Sequence, residues 1–319
     1  MLFSVIIPVY NRPQEVDELL ESLTKQTYGN FETLIIEDGS EEKCDNIVEK
    51  YRSQLNIKYY YKENSGQGFS RNYGFKRANG DYFVVFDSDC LIPPNYFETV
   101  NTFLEQQKLD AYGGPDREHE SFTPVQKAIS YAMTSPLTTG GIRGNEKHAG
   151  TFHPRSFNMG ISREVFEKTG GYRITRMGED IEFSIRIIKE GFTTGLIPGA
   201  FVYHKRRTNL IQFFNQLHFF GRARINISRF YPNEIKAVHT LPPLFTIGII
   251  LLFTLPFWAP DLFKILSAPY LAFFALLFAH ATVKNHSIFI GILSTAAAFI
   301  QLTAYGIGFL SEAWTKLTE

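Results

Sequence analysis

The sequence predicts an α/β domain built on a doubly wound, parallel sheet, followed by C-terminal helices that cross a membrane. Two observations carry this. Over the first hundred residues, short apolar runs alternate with stretches of helical periodicity, the pattern of strands joined by crossover helices. Charge is the second: of the 64 charged residues only six, Asp261, Lys264, Lys284, Glu312, Lys316 and Glu319, lie beyond residue 240. Such a break separates a water-facing region from an apolar one.

Taken in order, Phe3–Pro8, Phe31–Glu37, Ile57–Tyr61 and Tyr82–Asp87 read as strands, with helices near Gln14–Gln26, Cys44–Gln54 and Phe69–Ala78. Ligands of doubly wound sheets bind outside the carboxyl ends of the strands. Three polar clusters fall there: Pro8-Val9-Tyr10-Asn11, Glu37-Asp38-Gly39-Ser40 and Asp87-Ser88-Asp89. Residues 111–160 are rich in Gly, Pro, Ser and Thr with weak periodicity, so loops over the site are predicted. Helices follow at Arg163–Thr169 and Asp180–Glu190, and a short strand at Ala200–Tyr203. Next, Leu210, Phe213, Phe214, Leu217 and Phe220 keep helical spacing while Arg222, Arg224 and Arg229 supply positive charge. A core helix shows the same stripe, but an apolar tail follows, which favours a helix lying on anionic headgroups.

The tail divides into segments near Leu241–Ala259, Ile265–Val283 and Ser287–Leu310, each close to the roughly 20 residues that cross a bilayer. Pro242, Pro243, Pro256 and Pro269 leave a re-entrant segment open as an alternative to three spans. The expected organisation is a catalytic region at 1–207, an interfacial region at 208–237 and a membrane region at 238–319. Lys205, Arg206, Arg207, Arg222, Arg224, Arg229 and Lys236 precede the first span and predict that this side stays in the cytosol, at an inner or plasma membrane. The opening MLFSVIIPVYN lacks a secretion leader's basic start and long apolar core. Cys44 and Cys90 fit no metal finger or disulfide framework. Lys plus Arg and Asp plus Glu balance at 32 each, so no polyanion-binding surface is indicated and no nucleic-acid partner is expected.

The run FVVFDSD drives an apolar strand into two carboxylates two residues apart. A single Asp at a strand end commonly caps a turn, but two at this spacing repel unless a cation or strong donors neutralise them. A hard cation, Mg²⁺ or Mn²⁺, held by a few carboxylates and a substrate diphosphate satisfies that requirement. Ser65-Gly66-Gln67-Gly68 lacks the glycine spacing of a dinucleotide fingerprint. Asn226-Ile227-Ser228 matches a glycosylation acceptor that would be silent in the cytosol.

Four segments in order, VIIPVYNR from Val5, EDGS from Glu37, NSGQGFSRNYGFKRANGDYFVVFDSD from Asn64 and GEDIEFSIR from Gly178, resemble the family 2 inverting glycosyltransferases of GT-A fold over roughly residues 1–205. The resemblance implies a nucleotide pocket lined by Pro8, Val9, Tyr10, Asn11 and Asp38, with Arg71 near the diphosphate or base. It implies that Asp87 touches the ribose or the metal's water, that Asp89 ligates the metal and that His204 completes its shell. Asp180 is implied as catalytic base, with Glu179 beside it as second candidate. Asn158-Met159-Gly160 resembles an acceptor-side segment, and reads equally as a plain strand. The implied activity moves a sugar from a nucleotide-diphosphate donor, expected to be UDP-linked, to a lipid-linked or glycan acceptor. Two rivals stand beside it. A processive synthase is disfavoured because both tryptophans, Trp258 and Trp314, lie in the tail, leaving only Gln216 and Arg222 as a loose echo of a Gln-x-x-Arg-Trp motif. An idle scaffold would be expected to lose Asp89 or Asp180, and both are present.

Overall fold

A computed structural model describes residues 1–139 and 152–319. In chain order the elements are β1 (Phe3–Val9), α1 (Pro13–Thr24), β2 (Phe31–Asp38), α2 (Asp45–Tyr51), β3 (Ile57–Lys62), α3 (Gln67–Phe75), β4 (Tyr82–Phe86), β5 (Cys90–Leu91), α4 (Tyr96–Gln106), β6 (Ala111–Gly113), β7 (Asp116–Arg117), α5 (Pro124–Thr134) and α6 (Pro136–Thr139). They continue with β8 (Asn158–Ser162), α7 (Arg163–Thr169), α8 (Glu179–Lys189), β9 (Thr194–Leu196), β10 (Val202–His204), α9 (Leu210–Phe230), α10 (Leu241–Thr254), α11 (Pro260–Asn285) and α12 (Ile288–Thr318). The described chain falls into two compact units: residues 1–119 with 152–205, and 120–139 with 206–319. The break falls after Lys205, and residues 120–139 group with the second unit, which the sequence did not indicate.

The first unit holds a seven-stranded sheet in the order β3-β2-β1-β4-β8-β6-β9. The four strands read from the sequence are parallel to one another. The sheet as a whole is mixed, because β8 runs antiparallel to both β4 and β6. Side chains alternate across it with the strand period of two. Phe3, Val5, Ile7 and Val9 of β1 pack on one face with Val16, Leu19 and Leu20 of α1 and Phe97 of α4. Ile6, Leu34 and Ile36 pack on the other with Phe75 of α3, Val165 of α7 and Phe183 of α8. A smaller sheet, β5-β10-β7, sets His204 opposite Cys90 across an antiparallel pair.

The predicted loop region at 111–160 contains β6, β7, α5, α6 and the start of β8, and residues 140–151 of it lie outside the described residues. Gly114 and Gly160 are there for close packing. A Cβ on Gly114 would sit 1.7 Å from the Ala200 carbonyl oxygen, and one on Gly160 would sit 2.0 Å from a ring carbon of Tyr112. Strands of two or three residues show no readable period.

In the second unit, Ile129, Tyr131, Ala132 and Met133 of α5 and Phe213 and Leu217 of α9 share a core with Leu277 and Ala281 of α11 and Ala297, Ala298 and Ala304 of α12. The stripe that the sequence would lay on a lipid surface is therefore used for helix packing. Its arginines have protein partners too: Arg222 Nε is 2.9 Å from Glu312, and Arg229 pairs with Glu312 at 3.2 Å and also with Glu319. Three helical segments, Ala237–Phe257, Pro260–Asn285 and Ile288–Thr318, of 21, 26 and 31 residues, are long and apolar enough to cross a membrane. Pro269 lies inside an uninterrupted α11, and Pro242 and Pro243 sit in the first turn of α10, where a missing N–H costs little.

Gly74 lets α3 approach β1, since a Cβ there would lie 2.6 Å from Ile6 Cγ2. An alanine in a helix interior gains up to about 1 kcal/mol over glycine, whereas overpacking a core costs about 1–3 kcal/mol. Ile6 is a fully buried strand residue that cannot yield, so the clash wins. Gly74→Ala is expected to lower the unfolding temperature by a few degrees; a rise would show that α3 is not clamped against β1.

Candidate active site

The candidate site residues all belong to the first unit, at the carboxyl ends of β1, β2 and β4, the amino ends of α3 and α8, and the end of β10. Asn11 follows β1 with φ +52°, a left-handed conformation that Asn tolerates better than most residues. Its Oδ1 accepts from the N–H groups of Glu41 and Glu42 at 2.8 and 3.1 Å, and its own N–H donates to Ser40 Oγ at 2.8 Å. The loops after β1 and β2 are thereby joined. Pro8 is half-buried and Tyr10 is 52% exposed. Val9 is part of the hydrophobic core and has no side-chain surface for a nucleotide, a correction to the pocket lining expected above.

Asp38 ends β2 and fastens the turn ahead of α3. It accepts from Lys62 Nζ at 2.5 Å, from the Ser65 N–H at 2.9 Å and from the Gly66 N–H at 2.8 Å. Burial pushes its carboxyl up, but these hydrogen bonds, Lys62 first, outweigh it and hold the group below the usual carboxylate range. Asp38 stays ionised, and its donors define the turn ahead of α3.

Arg71, one turn into α3, is 2% exposed. Its Nη2 lies 2.8 Å from Asp87 Oδ1 and its Nη1 3.3 Å from Glu179 Oε1. One buried guanidinium therefore joins the end of β4 to the start of α8. Gln67 Nε2 also donates to Glu179 Oε1, at 2.7 Å. The turns ahead of the two helices are laced together: the Gly68 N–H donates to the Thr175 carbonyl at 3.2 Å, and Thr175 Oγ1 to the Ser65 carbonyl at 2.7 Å. Burial and the neighbouring Asp180 push the Glu179 carboxyl up, with Arg71 opposing.

Asp180 differs from its neighbour. Its side chain is 22% exposed, with Arg155 Nη1 3.6 Å away. It stands in the first turn of α8, where the helix dipole favours an anion, and follows Met177 at φ +60° and Gly178 at φ +96°. Later residues of the same motif are structural: Arg186 pairs with Glu182 at 2.8 Å and donates to the Thr169 and Gly171 carbonyls.

Asp89 lies between two basic groups, Arg12 Nη1 at 2.7 Å from its Oδ2 and His204 Nε2 at 3.1 Å from its Oδ1. Burial lowers the Arg12 pKa and Asp89 raises it, with a net rise. Among the described residues, ligand atoms of Asp89, Cys90 and His204 converge within 4.8 Å of one another. Oxygen and imidazole nitrogen beside each other suit a divalent cation. Asp87 is not in that group; Arg71 claims it instead, so the two halves of the Asp-Ser-Asp motif face different tasks. Asn158 is fully buried, accepting from Tyr96 Oη at 2.6 Å and donating to the Ala200 carbonyl at 2.8 Å, which is the plain-strand reading. Arg12, Lys62, Gln67 and Arg155 carried no role in the sequence reading. Arg12 stood inside a quoted motif, whereas Arg155 had no signal.

In keeping with this geometry, the sequence matches the profile Glycosyl transferase family 2 over residues 4–170, more than half of the chain. A Haemophilus influenzae uncharacterized glycosyltransferase is 32% identical, the match covering 66% of this chain and 71% of that protein. This chain belongs to glycosyltransferase family 2. Staphylococcus aureus TarS, a poly(ribitol-phosphate) β-N-acetylglucosaminyltransferase, is 37% identical over 34% of this chain and 20% of its own. Its residues 1–349, solved with UDP-GlcNAc, superpose with TM-score 0.52 at 18% identity, covering 99% of this chain and 92% of that one. The Pyrobaculum calidifontis mannosyltransferase PcManGT, solved with GDP-Man and Mn²⁺, superposes with TM-score 0.61 at 18% identity, covering 98% and 87%. At that identity the superpositions establish the GT-A fold alone. Against the first few curated relatives the match spans between 18% and 71% of their length, and only about a fifth of several.

Removing Arg71 leaves Glu179 buried with less compensation, so its pKa rises further. A carboxyl with a raised folded-state pKa binds protons more tightly folded than unfolded, and stability falls as pH rises through that pKa. Arg71→Met is therefore expected to lose stability progressively as pH rises above the ordinary carboxylate range. Adding Glu179→Gln should flatten the profile. A loss in Arg71→Met that is equal at every pH, read by thermal unfolding in detergent, would contradict the pairing.

Proposed function

We propose that the chain transfers a glycosyl group, with inversion at the anomeric carbon, from a nucleoside-diphosphate sugar to a hydroxyl of a lipid-linked or glycan acceptor, at the cytosolic face of a membrane. The observation that carries the reading is the division of labour at the start of α8. Glu179 is buried and held by Gln67 and Arg71, while Asp180 beside it is partly exposed.

The first residue orients and the second reacts. Asp180 takes the proton of the acceptor hydroxyl as that oxygen attacks the anomeric carbon. The bond to the diphosphate breaks in the same displacement, its electron pair leaving with the phosphate oxygen. One base and one displacement give inversion. Asp89 and His204 fit a divalent cation, Mn²⁺ or Mg²⁺, which when bound supplies Lewis-acid stabilisation of the departing diphosphate. Arg71 holds Asp87 at the ribose side, and Tyr10, Asn11, Pro8 and Asp38 border the base. A UDP sugar is the first donor to test and a GDP sugar the second, since TarS and PcManGT were solved with one of each.

The membrane reading rests on the three apolar helices and the cationic run ahead of them, which by the positive-inside tendency keeps the catalytic unit cytosolic. An acceptor anchored in the same bilayer gains effective concentration at the site.

Asp180→Asn is expected to lower transfer by about 10²- to 10⁴-fold while donor binding and thermal stability stay close to wild type. Replacing an N-terminal cap alone would instead cost about 1 kcal/mol of stability and leave turnover. Asp89→Asn should lower transfer at least about 10²-fold and remove the dependence of donor affinity on Mn²⁺. Normal transfer by Asp180→Asn, or full activity of Asp89→Asn in EDTA, would overturn the respective assignment.

A further inference from the structure

Cys90 has no part in the reaction above, yet it stands where its chemistry matters. β5 and β10 pair antiparallel with Cys90 directly opposite His204, so the two side chains leave the same face of the ribbon. Asp89 is the preceding residue. A carboxylate oxygen, the Cys90 Sγ and an imidazole nitrogen lie within 4.8 Å of one another. Tetrahedral zinc, with bonds of about 2.0–2.3 Å, holds its donor atoms roughly 3.5 Å apart, so small side-chain rotations close the triad.

The surroundings are those of a built site. The Phe157 ring stacks on the His204 imidazole at 5.1 Å and 16°, and its carbonyl accepts from Cys90 Sγ at 3.5 Å. His204 Nδ1 is buried and has no hydrogen-bond partner among the described residues, although Nε2 is 3.1 Å from Asp89. Arg12 holds the other oxygen of Asp89 and fixes how the carboxylate is presented. A buried cysteine alone is usually a small hydrophobe. Here it completes a carboxylate, thiol and imidazole set.

We propose that Asp89, Cys90 and His204 form a three-ligand site for a thiophilic divalent cation, Zn²⁺ above all, and that Zn²⁺ bound there excludes Mn²⁺ or Mg²⁺ and arrests transfer. The inference rests on the reading of Asp89 and His204 as metal ligands and adds the thiolate. On binding, the Cys90 thiol proton passes to solvent and sulfur donates its electron pair to zinc; nothing is oxidised. Manganese and magnesium prefer oxygen ligands and gain little from Cys90, whereas zinc stands above manganese in intrinsic affinity and gains from sulfur.

The experiment titrates Co²⁺, a spectroscopic stand-in for Zn²⁺, into metal-stripped full-length protein in detergent. Wild type should develop a thiolate-to-cobalt charge-transfer band in the near ultraviolet that Zn²⁺ bleaches. Cys90→Ser and Cys90→Ala should lack the band and bind Zn²⁺ at least about tenfold more weakly, while Mn²⁺ affinity, read by electron paramagnetic resonance, changes less than about twofold. Cobalt bound through His204 without the charge-transfer band would overturn the proposal and leave the metal reading standing. Equal weakening of Zn²⁺ and Mn²⁺ in both variants would overturn it by showing that Cys90 only supports the fold. Absence of any cobalt binding would overturn both readings.

Discussion

The site depends on one buried guanidinium. Arg71 is 2% exposed and lies against Asp87 and Glu179, carboxylates contributed by segments more than ninety residues apart. A charge in that position costs several kcal/mol unless it is paired, and the same holds for Glu179. Neither group is stable without the other, so the end of β4 and the start of α8 are held at fixed distance from α3. The laced turns around Ser65, Gly68 and Thr175 and the close seat of α3 on β1 at Gly74 reinforce that placement.

Around this anchor, acidic side chains of similar type acquire different chemistry from their surroundings. Asp38 is driven below the usual carboxylate range by Lys62 and backbone N–H groups, while Glu179 is driven above it by burial and by Asp180. Asp180 faces solvent from a helix start, and Asp89 faces a histidine and an arginine. In the proposed reaction the two exposed to chemistry are the base and the cation ligand. The other two hold the loops that position them.

The sequence exposed what is local and repetitive. Strands β1 to β4 were legible because each is long enough to show its apolar run, and Asp87 and Asp89 because they fall where such a strand ends, whereas Glu179 and Asp180 were singled out only through the family resemblance. Short strands β6, β7 and β9 were not, since two or three residues carry no period. Arg12 and Gln67 were missed for a different reason: their partners Asp89 and Glu179 are distant in sequence, and nothing local marks such a pair. The stripe on α9 was ambiguous by nature. Phe213 and Leu217 have the spacing of a lipid-facing helix and of a packed one, and only the positions of α12 and Glu312 distinguish them.

The most direct test of the account is the configuration of the sugar at the instant it leaves the donor. Purified full-length protein would be given the nucleotide sugar it hydrolyses fastest, and the released sugar followed by proton magnetic resonance before mutarotation. A single displacement predicts that an α-linked donor yields the β anomer first. Initial release of the α anomer would require a different mechanism and would contradict the assignment of Asp180 as the base of an inverting transfer.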